Sequence, residues 1–467
     1  MGFVLSILYF VTYYLTPDTV FGPLGEYRVE LILGILLILI SVPKLQISFA
    51  TRTPQAIAML GLGFATFASV YLETRSLVHS FNVFQGFLPN LFAFFFLCLH
   101  CKTRAKLKML VAMMIFVCFF VIAHGYADMR HGLPDFAGPN TWEGWDQEHP
   151  YLFQMPNDAG DRIFRLRGLG LINDPNDFGQ LLICVIPLTF IFWQPKREFW
   201  IPYRGLKNLL FVLLPLSVLL YGVFMTHSRG ALLALVAIAM VAVRRRIGTV
   251  PSILGAGLMF VGAMALNFTG GRGVSAESGS DRTDLWRQGL TLVKAHPFFG
   301  VGYGNMADYT DSHHTAHNSL VVCAVELGAI GLYFWCLFLY PTLRDAIVAA
   351  SPEKVKEVIP VDPRTILYPW FEQKKEFVDK ITLNHMGRMM VLSLTGFLVA
   401  GWFLSRSFVM TLFLLGGMAE VIYQLAQDEK VIVPRLSLFR ALGGAAVLAF
   451  VLMAMMYTLL RVVGFMH

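Results

Sequence analysis

Apolar stretches near or above the length that crosses a lipid bilayer recur along the whole chain, and this recurrence limits the fold more than any other feature. A helix needs about 18 apolar residues to span the hydrocarbon layer. Only 14% of the 467 residues are charged, compared with roughly 25% in soluble domains. The stretches cover residues 2–16, 28–43, 55–72, 83–100, 108–124, 177–193, 207–225, 230–243, 252–268, 318–340, 386–404, 407–424 and 438–460. The sequence therefore predicts an all-α polytopic integral membrane protein with about 12–13 transmembrane helices and folded external loops.

Basic residues set the predicted orientation of these helices. Lys and Arg cluster in the short loops around 102–108, 196–207 and 244–246, whereas residues 125–165 contain more acidic than basic side chains. Because cytoplasmic loops carry the excess of Lys and Arg, the basic loops are expected on the cytoplasmic side. If all thirteen stretches cross the membrane, the C-terminus lies outside the cytoplasm. If one weak stretch does not cross, the C-terminus lies inside. The long loops and turns that fall outside are 125–174, 226–229 and 269–316.

The spans and loops divide the chain into seven segments. The first span lacks a basic leading segment and a small-residue cleavage site, so we expect a retained helix and not a signal peptide. The segments are N-terminal transmembrane helices (1–124), an external loop (125–174), central transmembrane helices (175–268), a large external loop with an amphipathic helix (269–316), one transmembrane helix (317–340), a cytoplasmic loop (341–385) and C-terminal transmembrane helices (386–467).

Charge and cysteine content limit the ligands that we expect. The net charge of +7 arises in short cytoplasmic loops, where anionic membrane lipids are the natural counter-charge. The six cysteines lie within or at the ends of membrane segments, and only Cys98 and Cys101 have a C-x-x-C spacing. We therefore expect membrane lipids as partners, and no nucleic acid, disulfide or zinc site.

The first external loop ends in the sequence RIFRLRGLGLINDPNDFGQLL. Asp174 followed by Pro175 predicts a helix N-terminus, because aspartate is a favoured N-cap and proline a favoured first residue. One interpretation is that the Asn and Asp residues here only cap this helix. The other is that Arg162, Arg165 and Arg167, beside the helix N-terminus, form an anion site in which Arg167 is the strongest candidate for holding a phosphate.

A short external turn, MTHSRGALLAL, places Arg229 at the outer mouth of the eighth predicted span. Arg229 either extends its guanidinium group to lipid headgroups or serves a binding site. The second interpretation is favoured, because arginines that reach headgroups normally support the cytoplasmic end of a helix. Gly230 lacks a side chain and allows another group to approach the backbone closely.

The second long external loop contains a predicted amphipathic helix on the membrane surface. Ser280 or Asp281 is expected to cap it, apolar residues then recur at roughly helical spacing, and Pro297 ends it. Arg282 falls in the first turn of this predicted helix, where the helix dipole disfavours a cation, and its position suggests that an anion binds there. The following FFGVGYGN is expected to be a tight turn back toward the membrane and not a nucleotide loop, because no strand precedes it.

The sequence DSHHTAHNSL has three histidines directly before the tenth predicted span. His313 and His317 are four residues apart and would share a helix face in a metal site, but no H-E-x-x-H pattern accompanies them. The favoured interpretation is that His317, next to Asn318 and held on the helix, acts as a general base, with His313 and His314 as alternatives. Glu326 is expected to pair with another membrane helix rather than with His317.

These motifs together resemble the O-antigen ligase and O-antigen polymerase superfamily. The resemblance rests on Arg282 three residues before Leu-Trp, on the G-x-G turn of HPFFGVGYG, and on His317 and Asn318 before a helix that continues with ELGAIGL. DPNDFGQLL and SRGALLAL also match patterns of this superfamily, so the resemblance covers about residues 160–340. It implies the all-helical fold of lipid-dependent (GT-C type) glycosyltransferases, and it is strongest to O-antigen ligase.

The resemblance implies a multi-pass transferase of the bacterial inner membrane whose active site faces the periplasm. Its members move a glycan from an undecaprenyl diphosphate carrier to an acceptor, here expected to be lipid A-core, without a metal or cofactor. By the pattern of the superfamily, His317 and Arg282 are catalytic, and Arg229, Arg167 and Arg165 bind the diphosphate. Secondary candidates are Asn318, His313, His314 and Glu326.

Three other activities remain as alternatives. Polymerisation of glycan repeat units and transfer of glycan to protein share the same motifs, so the glycan or protein acceptor is open. A membrane transporter is a remote alternative, because it would predict internal repeats and polar residues near the bilayer midplane. The polar residues here collect at the external surface instead.

Overall fold

The computed structural model describes residues 1–16, 28–45, 53–131, 149–157, 160–193, 203–271, 276–351, 369–428 and 435–465. Parts of four predicted loops lie outside the described residues. They are 132–148 and 158–159 in the first external loop, 196–202 in a basic cytoplasmic loop, 272–275 in the second external loop and 352–368 in the long cytoplasmic loop.

Helices make up almost all of the described chain, and one short hairpin accompanies them. In the hairpin, β1 (Leu152–Pro156) pairs antiparallel with β2 (Arg162–Leu166). Helix α7 contains a π-helical turn at Leu209–Leu213. The helices are α1 (Gly2–Leu15), α2 (Val29–Ser41), α3 (Pro54–Thr74), α4 (Leu77–His100), α5 (Arg104–His131), α6 (Pro175–Thr189), α7 (Arg204–Thr226), α8 (Arg229–Ile247), α9 (Thr249–Ala265), α10 (Ala276–Ala295), α11 (Ser319–Ala350), α12 (Pro369–Gly401), α13 (Met410–Asp428) and α14 (Leu438–Phe465).

Seven helices among the described residues are long and apolar enough to cross a membrane: α3, α4, α5, α6, α7, α11 and α14. Each of the other predicted spans coincides with a described helix, although these helices fall short in length or composition. Helix α8, for example, begins with Arg229 and carries three arginines at 244–246. The predicted all-α polytopic membrane fold is confirmed.

Helices α6 and α11 lie at the centre of the bundle, and α14 lies at its periphery. In the most apolar 18-residue stretch of each helix, 83% of the residues are buried in α6 and 78% in α11, compared with 17% in α14. Helix α11 packs against α3, α12, α13 and α14. Large apolar side chains of α14 such as Phe450 and Val462 are exposed, as expected for a helix that faces lipid.

Helix α11 is interrupted at Gly328, whose φ of 63° lies in the left-handed region. The turn that contains the G-x-G sequence docks into this break. The backbone N–H of Val301 donates to the carbonyl oxygen of Val325 at 2.9 Å, and the N–H of Ala329 donates to the carbonyl oxygen of Pro297 at 2.9 Å. The turn therefore supplies hydrogen bonds to backbone groups that the break removes from the helix, as an interrupted membrane helix requires.

Several elements extend beyond the predicted segment boundaries. Helix α5 continues to His131, past the predicted end at 124, and α11 continues to Ala350, past the predicted end at 340. The first external loop also contains the β-hairpin, which the apolar pattern did not indicate. Hydropathy marks the apolar part of a helix, whereas the helix itself continues while its backbone groups remain paired.

The predicted external loops meet at one end of the bundle, which we call the site face. It consists of residues 149–174, the turn at 227–228, helix α10 with residues 296–318, and the α12–α13 turn (402–409). The C-terminal end of α14 lies at the same end, because Arg461 faces α10 across a cavity.

Candidate functional site

The hairpin arginines predicted to bind diphosphate are instead hydrogen-bonded within the protein. Arg165 Nε donates to the carbonyl oxygen of Thr226 at 2.8 Å, and its Nη2 donates to Asn176 Oδ1 at 2.9 Å. Arg167 donates to two backbone carbonyl oxygens, at 2.8 and 3.2 Å. Both side chains are buried, with 3% and 7% of their surface exposed. Their guanidinium groups position neighbouring segments, and the predicted contact with diphosphate stays a prediction.

The predicted helix start at Asp174 and Pro175 is confirmed as the beginning of α6. The Asp174 carboxylate accepts the backbone N–H of Asn176 at 2.7 Å. The Asn176 side-chain oxygen also accepts a hydrogen bond from Ser228 Oγ at 2.8 Å. Asn176 therefore connects Arg165 in the hairpin with the residue that precedes Arg229.

Arg229 is the first residue of α8, which agrees with its predicted position at the start of the eighth span. Ser228 caps the helix, because its Oγ accepts the backbone N–H of Ala231 at 3.3 Å. A Cβ atom placed on Gly230 would lie 3.4 Å from Cβ of Phe403. The start of α8 thus packs closely on the α12–α13 turn, and the Arg229 side chain is half-buried there.

Arg282 reaches the same turn from α10. Its guanidinium carbon lies 6.0 Å from the centre of the Phe403 ring. Burial, followed by the positive charge of Arg229, lowers the pKa of Arg282. The guanidinium groups of Arg282 and Arg229, from different helices, therefore lie close enough for their charges to interact, an arrangement that favours an anion between them.

The dipole argument for Arg282 is wrong, because α10 begins earlier than predicted. The helix starts at Ala276 and not after a cap at Ser280 or Asp281, so Arg282 lies in its second turn. Capping preference suggested the later start, whereas Ala276 and its neighbours continue the helix backwards. The anion preference of Arg282 follows from burial and Arg229 instead.

His317 lies in the loop before α11, and not on the helix as predicted. Helix α11 begins at Ser319, and His317 adopts a left-handed conformation with a φ of 48°. The His317 N–H donates to Ser405 Oγ at 2.8 Å. The indole nitrogen of Trp286 donates to the carbonyl oxygen of Ala316 at 2.7 Å. Two anchors, one from the α12–α13 turn and one from α10, thus hold the backbone around His317.

The His317 imidazole is half-buried, whereas His313 and His314 are exposed. Burial, followed by the positive charges of Arg282 and His314, lowers the pKa of His317, and Asp174 acts in the opposite direction. A lowered pKa keeps the ring neutral near pH 7, which is the form that can accept a proton. The helix face that His313 and His317 were expected to share does not form, because residues 310–318 are not helical.

Asn318 caps α11 and connects it to the α12–α13 turn. Its side-chain oxygen accepts the backbone N–H groups of Leu320 and Val321 at 2.9 and 3.2 Å. Its side-chain nitrogen donates to the carbonyl oxygen of Trp402 at 3.2 Å. The residue is completely buried, so it positions the loop that carries His317.

Glu326 is bound by backbone groups, and not by another helix as predicted. It is buried in α11, with 4% of its surface exposed. Its carboxylate accepts hydrogen bonds from the backbone N–H groups of Gly304 and Met306, which follow the G-x-G turn. His317 lies in the chain between this turn and Glu326. Glu326 therefore holds the turn against α11 and stabilises the segment that carries His317.

Arg406 and Asp177 form an ion pair that sequence analysis missed. Arg406 Nε donates to Asp177 Oδ1 at 2.7 Å, which joins the α12–α13 turn to α6. The Arg406 backbone N–H also donates to Ser319 Oγ at 3.2 Å. A signal was available, because Arg406 lies between two predicted spans on the predicted external side, as Arg229 does.

No group of three or more His, Cys, Asp and Glu side chains within the described ranges is arranged to hold a metal ion. The six cysteines, all of which fall in those ranges, are buried and unpaired with one another. The polar groups that the structure brings together are therefore arginines and one imidazole, which suit an anionic substrate and proton transfer.

The comparison with protein families agrees with the motifs at this site. Residues 214–336 match the family model described as O-antigen ligase. The matched range contains Arg229, Arg282 and His317, whereas Asp177 and Arg406 lie outside it. A comparison with curated proteins gives no match. The family match, which covers residues 214–336, confirms the resemblance to the O-antigen ligase superfamily.

Proposed function

We propose that this protein transfers a glycan from undecaprenyl diphosphate to a hydroxyl group of lipid A-core at the periplasmic face of the bacterial inner membrane. The observation that carries the proposal is the convergence of Arg229, Arg282 and His317 around Phe403 and Ser405 on the site face. Two guanidinium groups provide the charge that a diphosphate requires, and a neutral imidazole provides a base. The family match supports a glycosyltransferase of the ligase or polymerase type.

In the proposed reaction, the acceptor hydroxyl oxygen attacks C1 of the donor sugar. The bond from this oxygen to C1 forms while the bond from C1 to the diphosphate oxygen breaks. His317 accepts the hydroxyl proton, and undecaprenyl diphosphate leaves with the bonding electron pair. The forks of Arg229 and Arg282 stabilise the negative charge that develops on the leaving diphosphate, because a guanidinium group matches two phosphate oxygens at once.

A cavity beside the site is suited to part of the lipid chain. It has a volume of about 200 Å³ and extends from Asn318 and Trp402 between α11, α12 and α14 toward Leu343 and Leu448. Most of its lining is apolar. A polyprenyl chain that occupied it would keep its diphosphate near the residue that precedes Asn318, which is His317.

The hairpin arginines have an indirect role in this proposal. Arg165 holds Asn176, and Asn176 accepts the hydroxyl of Ser228 at the start of α8. Arg165 therefore positions Arg229, and Arg167 stabilises the same hairpin. We assign neither residue a contact with the donor diphosphate.

The overall test is a transfer assay with the purified full chain and undecaprenyl-diphosphate-linked glycan. Lipid A-core, free glycan repeat units and an acceptor protein are supplied in separate reactions, each with and without EDTA. We expect product on lipid A-core. Product only on glycan would assign a polymerase, product only on protein would assign a protein O-oligosaccharyltransferase, and no product with any acceptor would contradict transfer. Loss of activity in EDTA that a divalent cation restores would contradict metal-independent chemistry.

The same assay tests the base. His317→Ala should slow transfer by about 100- to 10,000-fold, the usual contribution of general base catalysis. His313→Ala and His314→Ala are matched controls, because both side chains are exposed and belong to the same loop. A larger loss in either control than in His317→Ala would move the base to that residue.

A further inference from the structure

A cavity of about 210 Å³ lies between α10 and the C-terminal end of α14. Three cationic side chains line it, Arg287 and Lys294 from α10 and Arg461 from α14. Thr291 and Tyr457 add two hydroxyl groups, and two leucines complete the lining. None of the residues proposed for glycan transfer lines this cavity, so it is a separate feature of the site face.

The lining residues form one face on each helix. Arg287, Thr291 and Lys294 follow each other at spacings of four and three residues, which places them on the same side of α10. On α14, Arg461 donates from Nε and Nη2 to the Tyr457 hydroxyl at 3.0 and 2.8 Å. These bonds hold the guanidinium group at the cavity, and they do not use its third nitrogen, Nη1.

Among the described residues, the positive charge of the cavity is only partly compensated. Arg287 pairs with Asp284 at 3.0 Å, and both side chains are substantially exposed. In the part of the chain that the structure describes, Lys294 and Arg461 have no carboxylate partner. Two uncompensated cations in one recess favour an anionic ligand with several oxygen acceptors.

The cavity lies at the level where a membrane surface is expected. The uncharged stretch of α14 runs from Ala441 to Leu460, which is long enough to span a membrane, and Arg440 and Arg461 flank it. Exposed apolar side chains such as Val451 and Leu459 cover α14 on the way toward the middle of the span. A molecule whose charged group occupies the cavity would therefore have its apolar part beside a lipid-facing helix.

We propose that this cavity binds the phosphate group of an anionic membrane lipid. Arg461 and Arg287 donate to phosphate oxygens, and Lys294 contributes a point charge. The acyl chains lie along the exposed surface of α14. Bound lipid connects α14 to α10, the helix that also carries Arg282, so this site adds a lipid ligand to the protein beyond the glycan donor and acceptor.

Native mass spectrometry of the purified full chain tests the proposal. The probes are dioctanoyl phosphatidylglycerol, dioctanoyl phosphatidylcholine and inorganic phosphate, each titrated separately. We expect phosphatidylglycerol to bind more tightly than either of the other two. Each cation near an anionic lipid surface contributes about fivefold in affinity, so Lys294→Gln with Arg461→Gln should weaken phosphatidylglycerol binding by about 25-fold.

Arg440→Gln is the matched control, because Arg440 is an exposed arginine near the opposite end of α14. It should leave phosphatidylglycerol binding unchanged. Should the double variant not fold, Lys294→Gln alone carries the test with about a fivefold loss, since this side chain is exposed. Unchanged phosphatidylglycerol binding in the folded variant would overturn the proposal. Tighter binding of inorganic phosphate than of phosphatidylglycerol would do so as well, because it would identify a free-anion site.

Discussion

The indole nitrogen of Trp286 donates a hydrogen bond of 2.7 Å to the carbonyl oxygen of Ala316, the residue directly before His317. The Trp286 ring is buried, and it packs edge-on against Trp402 with 6.0 Å between the ring centres. Helix α10 therefore carries Arg282 and also holds the backbone next to His317. Trp286 therefore helps to set the relative positions of these two residues, together with the Ser405 anchor on His317.

Replacing Trp286 by phenylalanine tests this positioning role. Trp286→Phe keeps an aromatic ring but removes the donor to Ala316, and loss of one buried hydrogen bond corresponds to about a three- to tenfold effect. We expect kcat to fall by about this factor in the transfer assay, while KM for the donor changes little, because a displaced base slows the chemical step. An unchanged kcat per folded enzyme would show that Trp286 does not position His317.

Lysine substitutions test whether each of the two arginines binds two phosphate oxygens at once. Arg282→Lys and Arg229→Lys keep the charge but cannot bind two phosphate oxygens in one plane. Each should lower kcat/KM for transfer by about tenfold or more. Arg287→Lys is the control on α10, because Arg287 is exposed and pairs with Asp284, and it should transfer normally. Near-normal turnover in Arg282→Lys would reduce its role to general electrostatics.

The break in α11 predicts a specific requirement for glycine. A Cβ atom at Gly328 would lie 2.4 Å from the backbone of Phe298, and its φ of 63° is unfavourable for other residues. Gly328→Ala should therefore destabilise the fold by about 2 kcal/mol or more. Gly255→Ala is the control, since no atom lies within 4 Å of the added carbon.

Thermal unfolding in detergent measures this difference directly. All six cysteines are buried, so a thiol-reactive fluorescent dye reports their exposure as the protein unfolds. Gly328→Ala should unfold at a clearly lower temperature than Gly255→Ala. Equal unfolding temperatures would mean that the G-x-G turn moves to accommodate the added carbon and that its docking is not important for stability.

The apolar pattern predicted most of the fold because a bilayer imposes one simple requirement on each span. Each predicted span coincides with a described helix, since length and hydropathy are local properties of the sequence. The start of α6 was also predictable, because the capping preference of Asp174 is local. Arg229, Arg282 and His317 could be proposed as site residues because charged or titratable groups at a predicted external membrane surface are costly without a role.

The contacts that arrange these residues were not predictable in the same way. The N–H of His317 is bound by Ser405, which is 88 residues away in sequence, and Asp177 is bound by Arg406 across 229 residues. The break in α11 is filled by backbone groups, which every residue carries and which leave no mark in composition. Sequence reasoning therefore proposed these residues as candidates, and it assigned His317 to the wrong element.

The pH dependence of His317 provides a test that does not need turnover. Burial, followed by Arg282 and then His314, lowers the pKa of His317 from its ordinary value of 6.5. The unfolded chain therefore binds more protons between the two values. The stability that the neutral ring contributes is present above pH 6.5, and it is lost as the pH falls toward the lowered pKa.

Chemical modification measures this pKa in the folded protein. Diethyl pyrocarbonate acylates only neutral imidazole, so the rate of His317 modification, followed by mass spectrometry of its peptide, should reach half of its maximum below pH 6.5. His313 in the same peptide is exposed and reports access of the reagent. Arg282→Gln removes the second-largest cause of the shift, so the midpoint for His317 should move to higher pH. A wild-type midpoint at or above 6.5, or a midpoint that Arg282→Gln leaves unchanged, would contradict the electrostatic coupling between this base and its neighbouring arginine.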